Sequence, residues 1–340
     1  MYTIKQITQK QEWETFVKKQ QFTLMNQSWK YGEFYKNLDE NFWVFGVYEQ
    51  DVLIAGALVL STHARRGDYL YLPYGPIITK DKENVLKMIT KHIAKFAKKE
   101  NYSFIRVSPF TDATEEHIKL YTDVGYRKAP IHALAENTWL LDLTPSEDEL
   151  LSAMNKNHRN LIRRCDREGI RIEKKTNIKD LDKLNELLDH TAKKHNFHRF
   201  PKKYIEEEFK PFEHDGEVCV YNAYLPDGTL DASAVIYFYG KMAAYRHSAS
   251  LNINKKLPSS YLIQWNVIQD AKKRGLQYYN FWGIAPDGAD RKHPFFGITH
   301  FKKGFGGFSK DVLHAHDYIV SWKYWINWSI ETLRRIKRGF

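Results

Sequence analysis

An α+β fold of two units with the same element order is what this sequence predicts, and three observations carry it. The chain has 340 residues, 43% of them hydrophobic and 15% aromatic, enough for two packed cores and too apolar for disorder. Alternating apolar runs broken by turn-forming residues occur in two places and read as antiparallel strands. Each set leads into one amphipathic helix and a closing strand. The order strand, turn, strand, turn, strand, helix, strand is therefore written twice, by element order rather than residue identity.

In the first unit the strands are "FWVFGVYEQDVLIAGALVLSTHARRGDYLYLPYGPI", with turns at "EQD" and "RRGD". "KDKENVLKMITKHIAKFAKKEN" follows with apolar residues at helical spacing, and "YSFIRVSPF" closes as a strand. "LDLTPSEDEL" marks the joint, where Thr144-Pro145-Ser146 precedes a helical pattern. After it come "NKNHRNLIRRCDREGIRIEKK", then helical "DLDKLNELLDHTAKKHNFHRFP" and "KKYIEEEFKPF". The second set of strands is "EVCVYNAYLPDGTLDASAVIYFYGKMAAYRHSAS", with turns at "PDG" and "YGK". "PSSYLIQWNVIQDAKKRG" is its helix, opened by Ser and closed by Gly, and "LQYYNFWGI" its last strand. The expected division is residues 1–144, 145–317 and a C-terminal helix at 318–340. That helix, "DYIVSWKYWINWSIETLRRIKRGF", has aromatic and aliphatic residues at helical spacing and a basic end. Two readings stand for it: packing on a domain, or lying in a membrane interface with Trp and Phe at headgroup level.

The net charge is +11 and the isoelectric point about 9.3. That balance suits anionic partners: nucleic acid, phosphorylated substrates or an anionic membrane. The plain alternative is a solvated basic surface. Cys165 and Cys219 lie far apart and in no metal-ligand spacing, so neither a disulfide framework nor a zinc site is expected, and a reducing cytoplasm fits. The opening "MYTIKQITQKQEWETF" lacks the apolar core of a signal peptide, and no stretch approaches the ~18 apolar residues of a membrane span. A cytoplasmic location is expected, peripheral at the inner face of the plasma membrane at most. No H-E-x-x-H, G-x-S-x-G or Walker A motif is present. His195 and His198 are three apart but have no carboxylate placed as a third ligand. No cofactor or metal is expected.

Three stretches could carry chemistry. In "NHRNLIRRCDREG", Arg159, Arg163, Arg164 and Arg167 recur every three or four residues and share a helix face suited to phosphate. In "HNFHRFPKKY", Pro201 should stop a helix and leave Arg199 and Tyr204 on a ligand-facing loop. "ITHFKKGFGG" is the strongest. Gly304, Gly306 and Gly307 would allow close backbone approach beside Lys302 and Lys303, an arrangement for a phosphate or an oxyanion. Each has a structural reading as well: a solvated face, an interdomain linker, a bulged strand exit.

Taken together these pieces resemble the FemABX family of peptidoglycan interpeptide-bridge aminoacyltransferases. The residues that carry the resemblance are "NQSWKYGEFYK", "PYGPI", "WLLDLTPSEDELLSAMNKNHRNLIRRCDREGI" and "YNFWGI" with "GITHFKKGFGGF", in that order along nearly the whole chain. The resemblance implies two acetyltransferase-like (GNAT-like) domains packed together. It also implies that the C-terminal segment returns to the first. No long heptad run is present, so the chain resembles the members without a coiled-coil arm. The implied reaction is aminolysis of an ester. The donor would be an aminoacyl-tRNA, the acceptor a stem-peptide amine of a UDP-MurNAc-pentapeptide or a lipid-linked peptidoglycan precursor. The resemblance makes Lys302 the lysine beside the reacting ester. It gives Lys36, Arg199, Tyr204 and either Tyr245 or His247 to the precursor, and Arg159, Arg163 and Lys303 fit contacts to tRNA or phosphate. Ser108 stands where related enzymes carry an aspartate, which argues against an acid–base carboxylate there. Two other readings remain open. One is an acyl-CoA-dependent N-acyltransferase, although "YGPIITKDKEN" and "ASLNINKKLPSS" lack its glycine-rich pyrophosphate loop. The other is a non-enzymatic basic module for RNA or membrane.

Overall fold

The computed structural model describes residues 2–64, 67–195, 199–291, 293 and 295–338. The chain forms two compact units. Unit 1 holds Met1–Gln20, Asn26–Glu136 and Asp311–Phe340, and unit 2 holds Gln21–Met25 and Asn137–Lys310.

The first part of unit 1 runs β1 (Tyr2–Gln6), α1 (Lys10–Lys19), α2 (Trp29–Asn37), β2 (Phe42–Glu49), β3 (Val52–Thr62), β4 (Tyr69–Tyr74), β5 (Ile77–Ile78), α3 (Lys82–Lys99), β6 (Phe104–Pro109), α4 (Glu115–Val124) and β7 (Arg127–Lys128). The strands β1 to β4 are antiparallel neighbours, whereas β4 and β6 are parallel and joined through α3. The crossover works because α3 buries Val85, Leu86, Ile89 and Ile93 along one face, at helical spacing. Each such side chain, fully removed from water, contributes roughly 1.5–3 kcal/mol.

Unit 2 continues with β8 (Asn137–Asp142), α5 (Glu147–Ala153), α6 (Lys156–Arg167), β9 (Arg171–Lys175), α7 (Leu181–His195), α8 (Lys202–Glu213), β10 (Val218–Tyr224), β11 (Leu230–Tyr239), β12 (Met242–Ser250), α9 (Ser259–Lys273), β13 (Tyr278–Gly283), α10 (Phe296–Lys303) and β14 (Phe308–Asp311). Its seven strands lie in the order β14-β8-β13-β12-β11-β10-β9. Again one pair is parallel, β12 with β13, and again a helix, α9, makes the crossover. The Ser146 that opens α5 accepts from Glu149 N, and the Glu149 carboxylate returns to the Ser146 backbone N–H.

The chain then re-enters unit 1. β15 (His316–Ile319) pairs antiparallel with both β6 and β7, and α11 (Tyr324–Arg338) follows. α11 is held by a buried cluster. Arg106 on β6 donates Nε and Nη2 to Asp317 at 2.7 and 2.8 Å, and Nη1 and Nη2 to Glu331 of α11 at 3.1 and 2.8 Å.

The boundaries differ from 144 and 318 for a physical reason. β8 is a strand of the second sheet, with Leu141 opposite Tyr279, so the division falls between Glu136 and Asn137. β15 lies inside the first sheet, so the return begins at Asp311. The short segment Gln21–Met25 belongs to unit 2 because Thr23 Oγ1 donates to Tyr239 O at 2.8 Å and accepts from Lys241 N. Both cysteines are buried and free. Among the described residues no helix is long and apolar enough to cross a membrane.

Candidate active site

The site of unit 2 begins where two parallel strands part. β12 and β13 pair at only three positions, Met242 with Tyr278, Ala243 with Tyr279 and Ala244 with Asn280. Both strands are irregular just beyond. On β12, His247 faces Val235 and Tyr245 faces Ile236 across β11, so Arg246 is the extra residue of a bulge. On β13 the register with β8 shifts between Asn280 and Gly283. Trp282 takes a left-handed backbone (φ 68°) there, and its N–H donates to Asn280 Oδ1 at 2.7 Å. A bulky residue in that conformation marks a place where the fold holds strain.

The opening is a cavity of about 870 Å³, a size that suits a small-molecule group. Arg246, His247, Trp282, Arg199 and Lys302 are among its lining residues. Its polar wall is organised by Glu208, on α8 and fully buried. Glu208 accepts from Arg246 Nε and Nη2 at 3.1 and 3.0 Å and pairs with His247 Nε2 at 2.6 Å. Burial pushes the Glu208 carboxyl up, but Arg246 and His247 outweigh it and hold it down to about 2. Burial lowers His247, against the pull of Glu208. The consistent state is a carboxylate balanced by Arg246, with a neutral His247 donating its Nε2–H. Arg246 also lies 5.1 Å from the Trp282 ring centre and 5.8 Å from that of Phe200.

Lys302 is the other polar feature. It is 5% exposed and donates Nζ to Gly283 O at 2.6 Å. Among the described residues it has no carboxylate partner. Burial alone lowers its pKa to about 7, so near neutral pH this amine can hold or release a proton.

A second cavity, of about 500 Å³, lies at the N-terminus of α9 and is lined by Pro258, Ser260, Lys255, Ser233, Ser250 and Gln264, among others. Ser233 Oγ, Ser250 Oγ and Gln264 Nε2 are buried without a hydrogen-bond partner among the described residues. A helix start with no capping side chain, a lysine and unmet polar atoms suit an anionic, hydroxyl-bearing group. Tyr245, Ser248, Gly297, Ile298 and Phe301 border both cavities.

The sequence-derived candidates distribute unevenly. Lys302, Arg199, Tyr245 and His247 line the larger cavity together, so Tyr245 and His247 are both present at it. Tyr204 stands beside it through its stack on Phe200, with centroids 4.6 Å apart. It lies on α8 rather than on a loop. Arg199 is tied to Asp189 at 2.6 Å and to Asn185 at 2.9 Å. Lys36 is exposed on α2, in unit 1.

Three expectations need correction. Lys302 and Lys303 are on the helix α10, not a loop, and Lys303 pairs with Asp287 at 2.8 Å. Gly304 and Gly307 serve packing. A Cβ on Gly304 would stand 2.0 Å from the buried His158 ring, and one on Gly307 (φ 102°) would meet Leu140 O at 2.2 Å. Arg159 turns its Nη1 back onto the carbonyls of Leu151, Ser152 and Met154, closing the end of α5. Arg163 remains exposed on α6. His198 and the His195 side chain lie outside the described residues.

Sequence reasoning missed Glu208, Arg246 and Trp282. Ile205, Glu208, Phe209 and Phe212 are the buried positions of α8. A carboxylate on that i, i+3, i+4, i+7 stripe was the available clue.

A model of the FemAB family matches residues 8–227 and 223–327, and the chain belongs to that family. It is similar to the lipid II:glycine glycyltransferase of Staphylococcus saprophyticus subsp. saprophyticus, 26% identical over 96 residues. The protein of the same name from Staphylococcus aureus matches to the same extent. Each match spans 28% of this chain and 23% of the relative's length. Among solved structures, a crystal structure of FemX superposes with a TM-score of 0.84 at 17% identity, covering 97% of this chain and all of the other. A tandem GNAT protein from the clavulanic acid biosynthesis pathway gives 0.53 at 9% identity, covering 83% of this chain and 84% of its own. At such identities both speak for the fold: two acetyltransferase-like units, with no coiled-coil arm among the described residues.

Proposed function

We propose that this chain is an aminoacyltransferase that moves an amino acid from an aminoacyl-tRNA to the stem-peptide amine of a lipid-linked peptidoglycan precursor. The observation that carries the reading is Lys302, a buried amine with a near-neutral pKa at the wall of the cavity where β12 and β13 part. The name of the staphylococcal relatives supports the lipid-linked acceptor, and the aminoacyl-tRNA donor rests on the family resemblance and the basic balance of the chain.

The chemistry asks for a neutral attacking amine, a stabilised oxyanion and two substrates held in line. In this reading the acceptor peptide enters the larger cavity beside Arg199, Tyr204, Tyr245 and His247. The esterified 3′ end of the tRNA enters the cavity at the start of α9. The acceptor nitrogen forms its bond to the ester carbonyl carbon. The bond from that carbon to the ribose oxygen breaks. Lys302 carries the proton lost by the nitrogen to the leaving oxygen, which its near-neutral pKa permits without a separate base. Lys255 and the α9 N-terminus face the terminal phosphate, and the basic balance of the chain supports tRNA capture.

The test is a transfer assay with charged tRNAs carrying labelled amino acids, run separately on UDP-muramyl pentapeptide and on its lipid-linked form. The expected result is a mass gain of one aminoacyl residue on the lipid-linked acceptor, abolished by ribonuclease and by Lys302→Met. No gain on either acceptor, with folded protein and intact charged tRNA, overturns the reading.

A further inference from the structure

Helix α11 faces the wrong way for an ordinary packed helix. The positions it buries are Tyr324, Asn327 and Glu331, and the Arg106 cluster explains why polar groups point inward. Four of its large apolar residues point outward. Leu333 and Ile336 are 67% and 69% exposed, and Trp325 and Ile326 are 43% and 47% exposed. At ~100° per residue these four fall within an arc of about 100°. Trp322, in the turn just before the helix, is 71% exposed. An amphipathic surface helix should bury such an arc, and an exposed apolar arc of this kind, in which the exposed Ser329 also lies, marks an interaction site.

The charges around the patch decide what it meets. Lys337 and Arg334, both exposed, border the arc on one side, and the Arg127 guanidinium lies 4.7 Å from the Trp325 ring centre. Lys323 adjoins Trp322 and is also exposed. Indole rings for the headgroup level, aliphatics for the acyl boundary and a cationic border form the pattern of a helix lying in an anionic bilayer surface. A protein partner would need a matching acidic rim, which nothing here supplies, whereas an anionic bilayer supplies it everywhere.

We propose that the outward face of α11, with Trp322 before it, is a membrane-docking surface for anionic phospholipid. The proposal does not depend on the transfer reaction, because binding is read without substrate. The experiment is flotation of the whole chain with vesicles of phosphatidylcholine alone and with added phosphatidylglycerol, followed by tryptophan emission. Expected are co-flotation with the phosphatidylglycerol vesicles, a blue shift of the emission and loss of both as salt is raised. The double substitution Leu333→Glu with Ile336→Glu should lower partitioning by about tenfold or more without moving the thermal midpoint, since both side chains are exposed. Absence of binding to anionic vesicles at low salt overturns the proposal. So does binding that the double variant leaves unchanged. So does a wild-type dimer that the variant splits, which would assign the face to a second copy of the chain.

Discussion

Lys302 is buried with its Nζ on the Gly283 carbonyl and its pKa near 7, against an ordinary value of 10.5. The unfolded chain keeps this proton up to about 10.5 and the folded chain releases it near 7, so stability rises with pH across that window. Below it the penalty is fully present. Lys302→Met should therefore abolish transfer yet raise stability at neutral pH by roughly 1–3 kcal/mol, after the lost hydrogen bond to Gly283 is discounted. Thermal unfolding beside the transfer assay checks this, and a Lys302 ¹⁵N titration should show a midpoint near 7. Glu208 has the opposite sign. Its carboxyl falls from 4.5 to about 2 on folding, so its contribution is complete above 4.5 and is lost as pH falls toward 2. Glu208→Gln should flatten the acid limb of the stability curve over that range. Glu208→Ala should cost about 3–5 kcal/mol in denaturant melts, because Arg246 stays buried without its carboxylate.

Elements were legible in proportion to their regularity. The strands of the two alternating sets and the two crossover helices follow from alternation and helical spacing, and they are present. Of the larger cavity's lining, the sequence named Lys302, Arg199, Tyr245 and His247, the last two only through the family resemblance. Arg246 was hidden because the bulge of β12 breaks the alternation that assigns faces to a strand. Glu208 was hidden because an acidic residue on a helix ordinarily reads as solvated, and its partners lie on a distant strand. "GFGG" was misread for a related reason: a glycine that admits a ligand and one that admits a histidine ring look alike in sequence. That assignment has its own test. Gly304→Ala should destabilise by more than about 2 kcal/mol by driving a methyl into the His158 ring. Adding His158→Ala should recover part of the loss, a coupling that a double-mutant cycle in denaturant measures.

The whole molecule is threaded rather than beaded. Unit 2 comes almost entirely from the single run Asn137–Lys310, whereas unit 1 takes its strand β15 from beyond it. A chain ending at Lys310 would leave β6 and β7 without the strand between them and Arg106 buried without Asp317 or Glu331. It should lose the cooperative melt of unit 1, seen as early proteolysis confined to residues before 137, while residues 137–310 stay protected. The same threading sets a timetable at the ribosome. Arg106 waits for a partner 211 positions later in the chain, and at roughly 5–20 residues per second that is about 10–40 seconds. The half of the protein that is translated first is thus the half that finishes last. Through that interval an arginine destined for the interior must stay in water, keeping the first sheet open until its carboxylates emerge.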